Sequence, residues 1–124
     1  MARTWLISAA IFGFLSVALG AFGAHGLKNV LDAYGHIIYD KAVRYQMFHT
    51  LALFALGVLQ IQFKNASFKI AGWAFIIGII LFSGSLYVLS LTGIKALGML
   101  TPIGGVSFTV GWFYMGYEVY KNVK

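Results

Sequence analysis

Leu19-Gly-Ala-Phe-Gly-Ala-His-Gly-Leu-Lys28 closes an uncharged apolar run that begins at Thr4 (TWLISAAIFGFLSVALGAFGA, residues 4–24). Glycines at positions 20, 23 and 26 make the backbone approachable, and His25 stands where the run gives way to Lys28 and Asp32. The stretch reads as a packed helix end at a bilayer surface. Roughly 20 apolar residues suffice to cross about 30 Å of hydrocarbon as a helix, so this one run points to an all-α integral membrane protein. Arg3 before the run and Ala21-Phe-Gly-Ala24 after it imitate a signal peptide with its cleavage site. The run is long for such a core, and a retained first span over about residues 4–24 is the expectation.

Composition agrees. The 124 residues are 60% apolar, 17% aromatic and 10% charged, against about 25% charged in a soluble domain. Nine Lys and Arg outweigh three acids, for a formal charge of +6. These cations are scattered singly between apolar runs and form no patch for nucleic acid, so membrane lipid headgroups are their expected partners. The chain has no cysteine, which removes disulfides, thiolate metal sites and a Cys nucleophile.

At 100° per residue the first span is small on one side and bulky on the other. Ala9, Gly13, Ser16, Gly20 and Ala24 share one face, and Ile7, Ile11, Phe14, Leu15 and Phe22 the other. Lipid tails are as apolar as Leu, so the small face, where backbones can approach closely, is the one expected between helices. Residues 25–40 mix polar and apolar side chains and read as a short amphipathic segment lying at the interface. A second span follows over about 41–63, with Gln46, His49, Thr50, Leu53, Gly57 and Gln60 on its polar and small side. A basic turn (Lys64, Asn65, Ser67, Lys69) leads to a third span over about 70–91. There Ala74, Gly78 and Ser85 share one face while Gly72, Ile76, Ser83, Tyr87 and Ser90 share another, so this helix can pack on two sides. Thr101-Pro102 reads as an N-cap followed by the first helical residue of a fourth span, about 102–120. Gly104, Ser107, Gly111 and Met115 form its close-packing face, and Trp112, Tyr114, Tyr117 and Tyr120 suit the aromatic belt.

The whole is a single four-span domain, 1–124, a four-helix bundle with both termini on one side. Arg3, Lys64, Lys69, Lys121 and Lys124 lie on that side against Lys28, Lys41, Arg44 and Lys95 on the other. The positive-inside rule then favours cytoplasmic termini in the cell membrane.

Four motifs in order, Gly20-Ala-Phe-Gly-Ala-His-Gly-Leu27, Arg44-Tyr-Gln-Met-Phe-His49, Gly84-Ser-Leu-Tyr87 and Thr101-Pro-Ile-Gly-Gly105, resemble the YgdD-like family, which also includes transmembrane protein 256. The resemblance covers nearly all of the chain. It implies a small four-helix inner-membrane protein of uncharacterised function, and it carries over no catalytic or ligand residues.

The candidate site is a polar cluster, His25 with Arg44, Gln46 and His49. The first two spans are antiparallel, so the end of one and the start of the other meet at the same surface. For His25, a proton-handling group or ligand is weighed against a ring that caps helix-end carbonyls or bonds a neighbouring helix, and the structural role is favoured. Two readings stand for His49: an ionisable group deep in a span, which is a functional candidate by default, or a neutral ring bonded to Gln46 or to a Ser of another helix. Arg44 reads as a headgroup anchor or as the partner of Asp40, and Glu118 as the partner of a nearby Lys. Axial ligation of haem by two histidines needs both at one level, and His25 and His49 lie at different depths. No paired His spacing suggests a metal. A phosphate loop, a nucleophile elbow and a carboxylate pair are all missing, so neither an enzyme nor a cofactor is expected. Two functions of different class follow. One is a non-enzymatic membrane protein that supports envelope integrity or stabilises a membrane-protein partner. The other is a small transporter or channel, formed as a homo-oligomer, with a polar path lined by Gln46, His49, Thr50 and Gln60.

Overall fold

The computed structural model describes residues 1–124 and contains only helices and turns. Helix α1 spans Ala2–His25. It ends in a tight turn in which Gly26 and Leu27 both donate their N–H to the Phe22 carbonyl. Asp32 then starts α2, Ala33–Gln62, by accepting the Gly35 N–H at 2.6 Å, the bond an N-cap aspartate makes to otherwise free donors.

The separate interfacial segment expected over 25–40 is therefore shorter than its polarity suggests. Residues 33–40 are the first two turns of α2, and the side chains that look interfacial are that helix's outer face. Tyr34, Ile37 and Asp40 are exposed while Ile38, Tyr39 and Ala42 are buried. At 30 residues α2 is about 45 Å long, more than the hydrocarbon thickness, so its polar first turns stand at the interface.

The link from α2 to α3 is clamped by Gln60. Its Nε2 donates to the Ala66 carbonyl at 2.8 Å and its Oε1 accepts the Phe68 N–H at 3.2 Å, while Phe68 plugs the core. Helix α3 runs over Lys69–Thr92 with a wide π-helical turn at Ile79–Ser83, where the Gly84 N–H reaches back to the Ile79 carbonyl. Gly93 stops it in the left-handed conformation (φ 72°), the backbone state that a helix C-terminus hands to glycine. A 3₁₀ turn, Lys95–Met99, feeds directly into α4, Leu100–Asn122. Because that turn already occupies the first donors of α4, Thr101 does not cap the helix as its position before Pro102 suggests. Its hydroxyl instead bonds Ser85 on α3 at 2.7 Å.

All four helices are long and apolar enough to cross a membrane. Helices α2 and α3 form the inner pair, and α1 and α4 flank them with most of their surface outward. The small side of α1 packs on α2, but its line runs Ala9, Ser16, Gly23 rather than on to Ala24, which is exposed. Steps of seven residues drift by only about 20° around a helix, whereas each step of four advances about 40°. Gly13 and Gly20 lie on this face, where an added Cβ would sit 3.6 Å from Thr50 and 3.5 Å from Val43. The closest approach of one helix backbone to another is elsewhere, at Gly104 of α4, where a Cβ would stand 2.8 Å from the Phe82 Cα. Gly111, two turns further along α4, faces the Phe75 ring. Trp5, Leu53, Leu56, Phe68 and Phe75 fill the centre.

Helix α3 does pack on two sides. Ser107 donates to the Ala74 carbonyl, and Thr101 meets Ser85, on the α4 side. Ser83 donates to the Ala42 carbonyl at 2.7 Å, and Tyr87 reaches Gln46, on the α2 side. The π turn lies between these contacts and lets one helix address both neighbours.

Candidate functional site

Helices α2 and α4 both begin at the same membrane surface, and both pack on α3, yet they bring little backbone against each other. Aromatic side chains fill the gap. They leave a lateral groove of about 630 Å³, within the range of about 300–1,000 Å³ typical of small-molecule sites.

His49 forms its floor. The ring stacks on Phe108 with centroids 3.5 Å apart and planes 7° from parallel. Its Nδ1 donates to the Tyr45 carbonyl at 2.8 Å, and its Nε2 accepts the Trp112 indole N–H at 3.0 Å. Both nitrogens are engaged, and the roles fit one species, the neutral ring with its proton on Nδ1. Tyr45 stacks on Phe82 at 4.4 Å to make one wall. Phe48 and Trp112, 5.6 Å apart, close the inner end. Gly105 and Thr109 leave the α4 side low, and Arg44 stands at the mouth. The Arg44 guanidinium is 80% exposed and meets Asp40 one turn earlier at 3.0 Å; such exposed helical pairs contribute only about 0.3–0.5 kcal/mol.

The expected cluster is thus divided among separate sites. Gln46 faces α1 and α3, donating from Nε2 to the Phe12 carbonyl at 2.9 Å and accepting from Tyr87 at 2.6 Å. That network joins three helices. His49 lies on the groove side of the same helix and bonds neither Gln46 nor a serine. Of the two readings that the sequence leaves open for it, the geometry matches the neutral, bonded ring, but its partner is the indole of Trp112, which the sequence places in the aromatic belt. His25 is exposed at the end of α1 and belongs to neither group. His36, one of the interfacial histidines, approaches the Lys28 carbonyl at 3.2 Å. No three His, Asp or Glu side chains converge as a metal-binding group.

The polar path fares similarly. Gln60 clamps a loop, and Thr50 is buried with its hydroxyl unpartnered beside Gly13. Of the four path residues, His49 alone lines the groove. Glu118 meets Lys121 at 3.8 Å and also accepts from the Ser67 N–H at 3.2 Å, so it ties the α2–α3 turn to the end of α4. Sequence reasoning missed the groove's aromatic walls. The available signal was that Gly105, Phe108, Thr109 and Trp112 share one side of α4 next to its glycine face.

The family described as "Protein of unknown function (DUF423)" matches residues 19–105. The chain belongs to the DUF423 family. That span takes in the polar turn after α1, the whole of α2 and α3, and the start of α4 with Gly104 and Gly105. Three relatives extend the likeness over nearly the full chain. A UPF0382 membrane protein of Haemophilus influenzae is 41% identical over 98% of both chains. The UPF0382 membrane protein YwdK of Bacillus subtilis is 43% identical, covering 89% of this chain and 90% of its own. The UPF0382 inner membrane protein YgdD of Escherichia coli is 43% identical, covering 91% of this chain and 86% of its own. No solved structure matches the chain. With four span-length apolar helices and this DUF423 membership, the protein is a multi-pass membrane protein.

Proposed function

We propose that the protein is a non-enzymatic component of the cell membrane, with both termini cytoplasmic, that acts by packing: it stabilises a membrane partner and so supports the integrity of the envelope. One observation carries the reading. The polar side chains inside the spans are committed to bonds that hold the bundle itself together: Gln46 to Phe12 and Tyr87, Ser83 to Ala42, Ser107 to Ala74, Ser85 to Thr101. The two buried polar atoms without a partner, Trp5 Nε1 and Thr50 Oγ1, do not line the groove. Such an arrangement offers a reaction no unpaired acid, base or nucleophile, and offers a permeant ion no continuous row of polar groups. The outward faces of α1 and α4 supply the surface on which a partner would sit, and the likeness to the inner membrane protein YgdD supports the location.

The transporter reading keeps one supporting feature, the groove that reaches His49. The two are separated by His49→Gln expressed in a strain lacking the protein. An amide can accept the Trp112 N–H and donate to a carbonyl but cannot titrate. The structural reading expects this variant to accumulate, to restore the deletion phenotype and to retain the partners cross-linked to the native chain in membranes. A variant that accumulates normally and fails to restore the phenotype refutes it.

A further inference from the structure

We propose that the groove between α2 and α4 is a binding site for an anionic phospholipid of the surrounding bilayer, with one acyl chain lying over the His49–Phe108 floor and the phosphate at Arg44. The groove opens sideways, between two helices that pack on α3 but hardly on each other, so its contents come from the membrane plane. Its depth profile matches a lipid. Arg44 stands one turn beyond the interfacial first turns of α2 and Gly105 lies in the second turn of α4, on the same side of the membrane, and Trp112 lies seven residues deeper than Gly105, about 10 Å along the helix. A cationic mouth above an apolar aromatic trough is the order in which a phospholipid presents phosphate and chain. The His49 ring adds no competing charge, because both its nitrogens are already bonded within the protein.

Charge selects among occupants. Arg44 carries a fork of donors of which Asp40 meets one nitrogen, and Lys41 stands on the neighbouring turn with no further acid beside it. A second copy of this chain would bring each of its carboxylates already engaged: Asp32 caps α2, Asp40 lies beside its own Arg44, and Glu118 is held by Lys121 and the Ser67 N–H at the opposite surface. The abundant anion at this depth is the lipid phosphate, which a guanidinium can bind through two parallel hydrogen bonds.

The test uses the full chain purified in mild detergent, mixed with vesicles of equimolar phosphatidylglycerol and phosphatidylcholine, re-extracted and weighed intact by native mass spectrometry. The native chain is expected to retain one phosphatidylglycerol in preference to phosphatidylcholine. Arg44→Gln, at an exposed position that the fold does not depend on, should reduce that retention about fivefold, the worth of one basic residue at a lipid surface, and remove the headgroup preference. Gly105→Leu should abolish retention, since its side chain enters the groove from a site where the nearest atom to an added Cβ is a Phe82 ring carbon at 4.0 Å. Equal retention of both lipids by the native chain, or unchanged preference in Arg44→Gln, overturns the assignment. So does a dimer that Gly105→Leu converts to monomer, which would give the groove to a second copy.

Discussion

Replacing Gly104 by alanine tests the packing scheme where two helix backbones come closest. An added Cβ would lie 2.8 Å from the Phe82 Cα, and closer still to the Phe82 backbone nitrogen. Backbone cannot swing aside as a side-chain tip can, so α4 must move away from α3 by about 0.5–1 Å, enough to forfeit a quarter to a half of each dispersion contact along the seam. The same movement lengthens the 2.7 Å bonds Ser85–Thr101 and Ser107–Ala74 toward the limit of useful geometry. Overpacking of this kind costs about 1–3 kcal/mol, and each weakened interhelical hydrogen bond adds up to about 0.6 kcal/mol. The expected total is therefore about 2–4 kcal/mol. Gly116→Ala is the matched control. It lies on the same helix with nothing within 4 Å of the added atom, and should gain about 0.5–1 kcal/mol from the lower entropy cost of alanine in a helix. Unfolding by SDS titration from mixed micelles, followed by circular dichroism, reads both. If Gly104→Ala is as stable as Gly116→Ala, the α3–α4 seam is not built on backbone contact and the reasoning fails.

Gln46→Leu should destabilise by about 1–3 kcal/mol, because it leaves the Tyr87 hydroxyl unpaired; the double variant with Tyr87→Phe should lose less than the two single losses summed, and additive losses would dissolve the network. Gly20→Ala should change stability by under about 1 kcal/mol in either direction, since its new methyl meets Val43 at an ordinary 3.5 Å, whereas Gly23→Leu should be far more costly against the Tyr39 ring; equal melting temperatures would put the α1–α2 contact elsewhere. Trp112→Phe should weaken the bundle by about 0.6 kcal/mol and by no more than about 1.7, the average and the maximum for hydrogen bonds between membrane helices, and an unchanged SDS midpoint would remove the His49 bond from the account. For orientation, a cysteine introduced at Asp32 should react with an impermeant reagent from outside intact cells and one at Lys124 should not; the reverse pattern inverts the topology.

What was legible in the sequence was whatever a helix declares by itself. Apolar runs of span length gave four helices, and periodicity gave the glycine face of α4 and the two faces of α3. What failed depended on neighbours. Asp32 caps α2, yet it and the polar residues after it look like an interfacial segment until Ile38, Tyr39 and Ala42 are found buried on the inner side. Ala24 extends a spacing of four that the interhelical contact, following a spacing near seven, abandons at Gly23. Trp112 reads as a belt residue because indoles favour the interface, and nothing local says that an acceptor on α2 lies 3.0 Å away. The groove itself is a gap between two helices, and no periodicity within one helix can encode it.

The way the helices are joined explains why that gap lies where it does. Small residues fasten α1 to α2 and α3 to α4, against side chains in the first pair and at backbone distance at Gly104 in the second. Serine and glutamine bonds fasten α2 to α3, and the π turn widens α3 just where it must serve both neighbours. Close contact on both sides of α3 holds α2 and α4 apart across it, and only long side chains can span the interval. His49, Phe108 and Trp112 do so, as one stacked and hydrogen-bonded unit. A histidine in a membrane span is ordinarily a sign of proton or ion traffic. Here its two nitrogens and its ring face are taken up by the stack on Phe108 and by the one hydrogen bond that joins α2 to α4, so its burial follows from what the bundle needs at that gap.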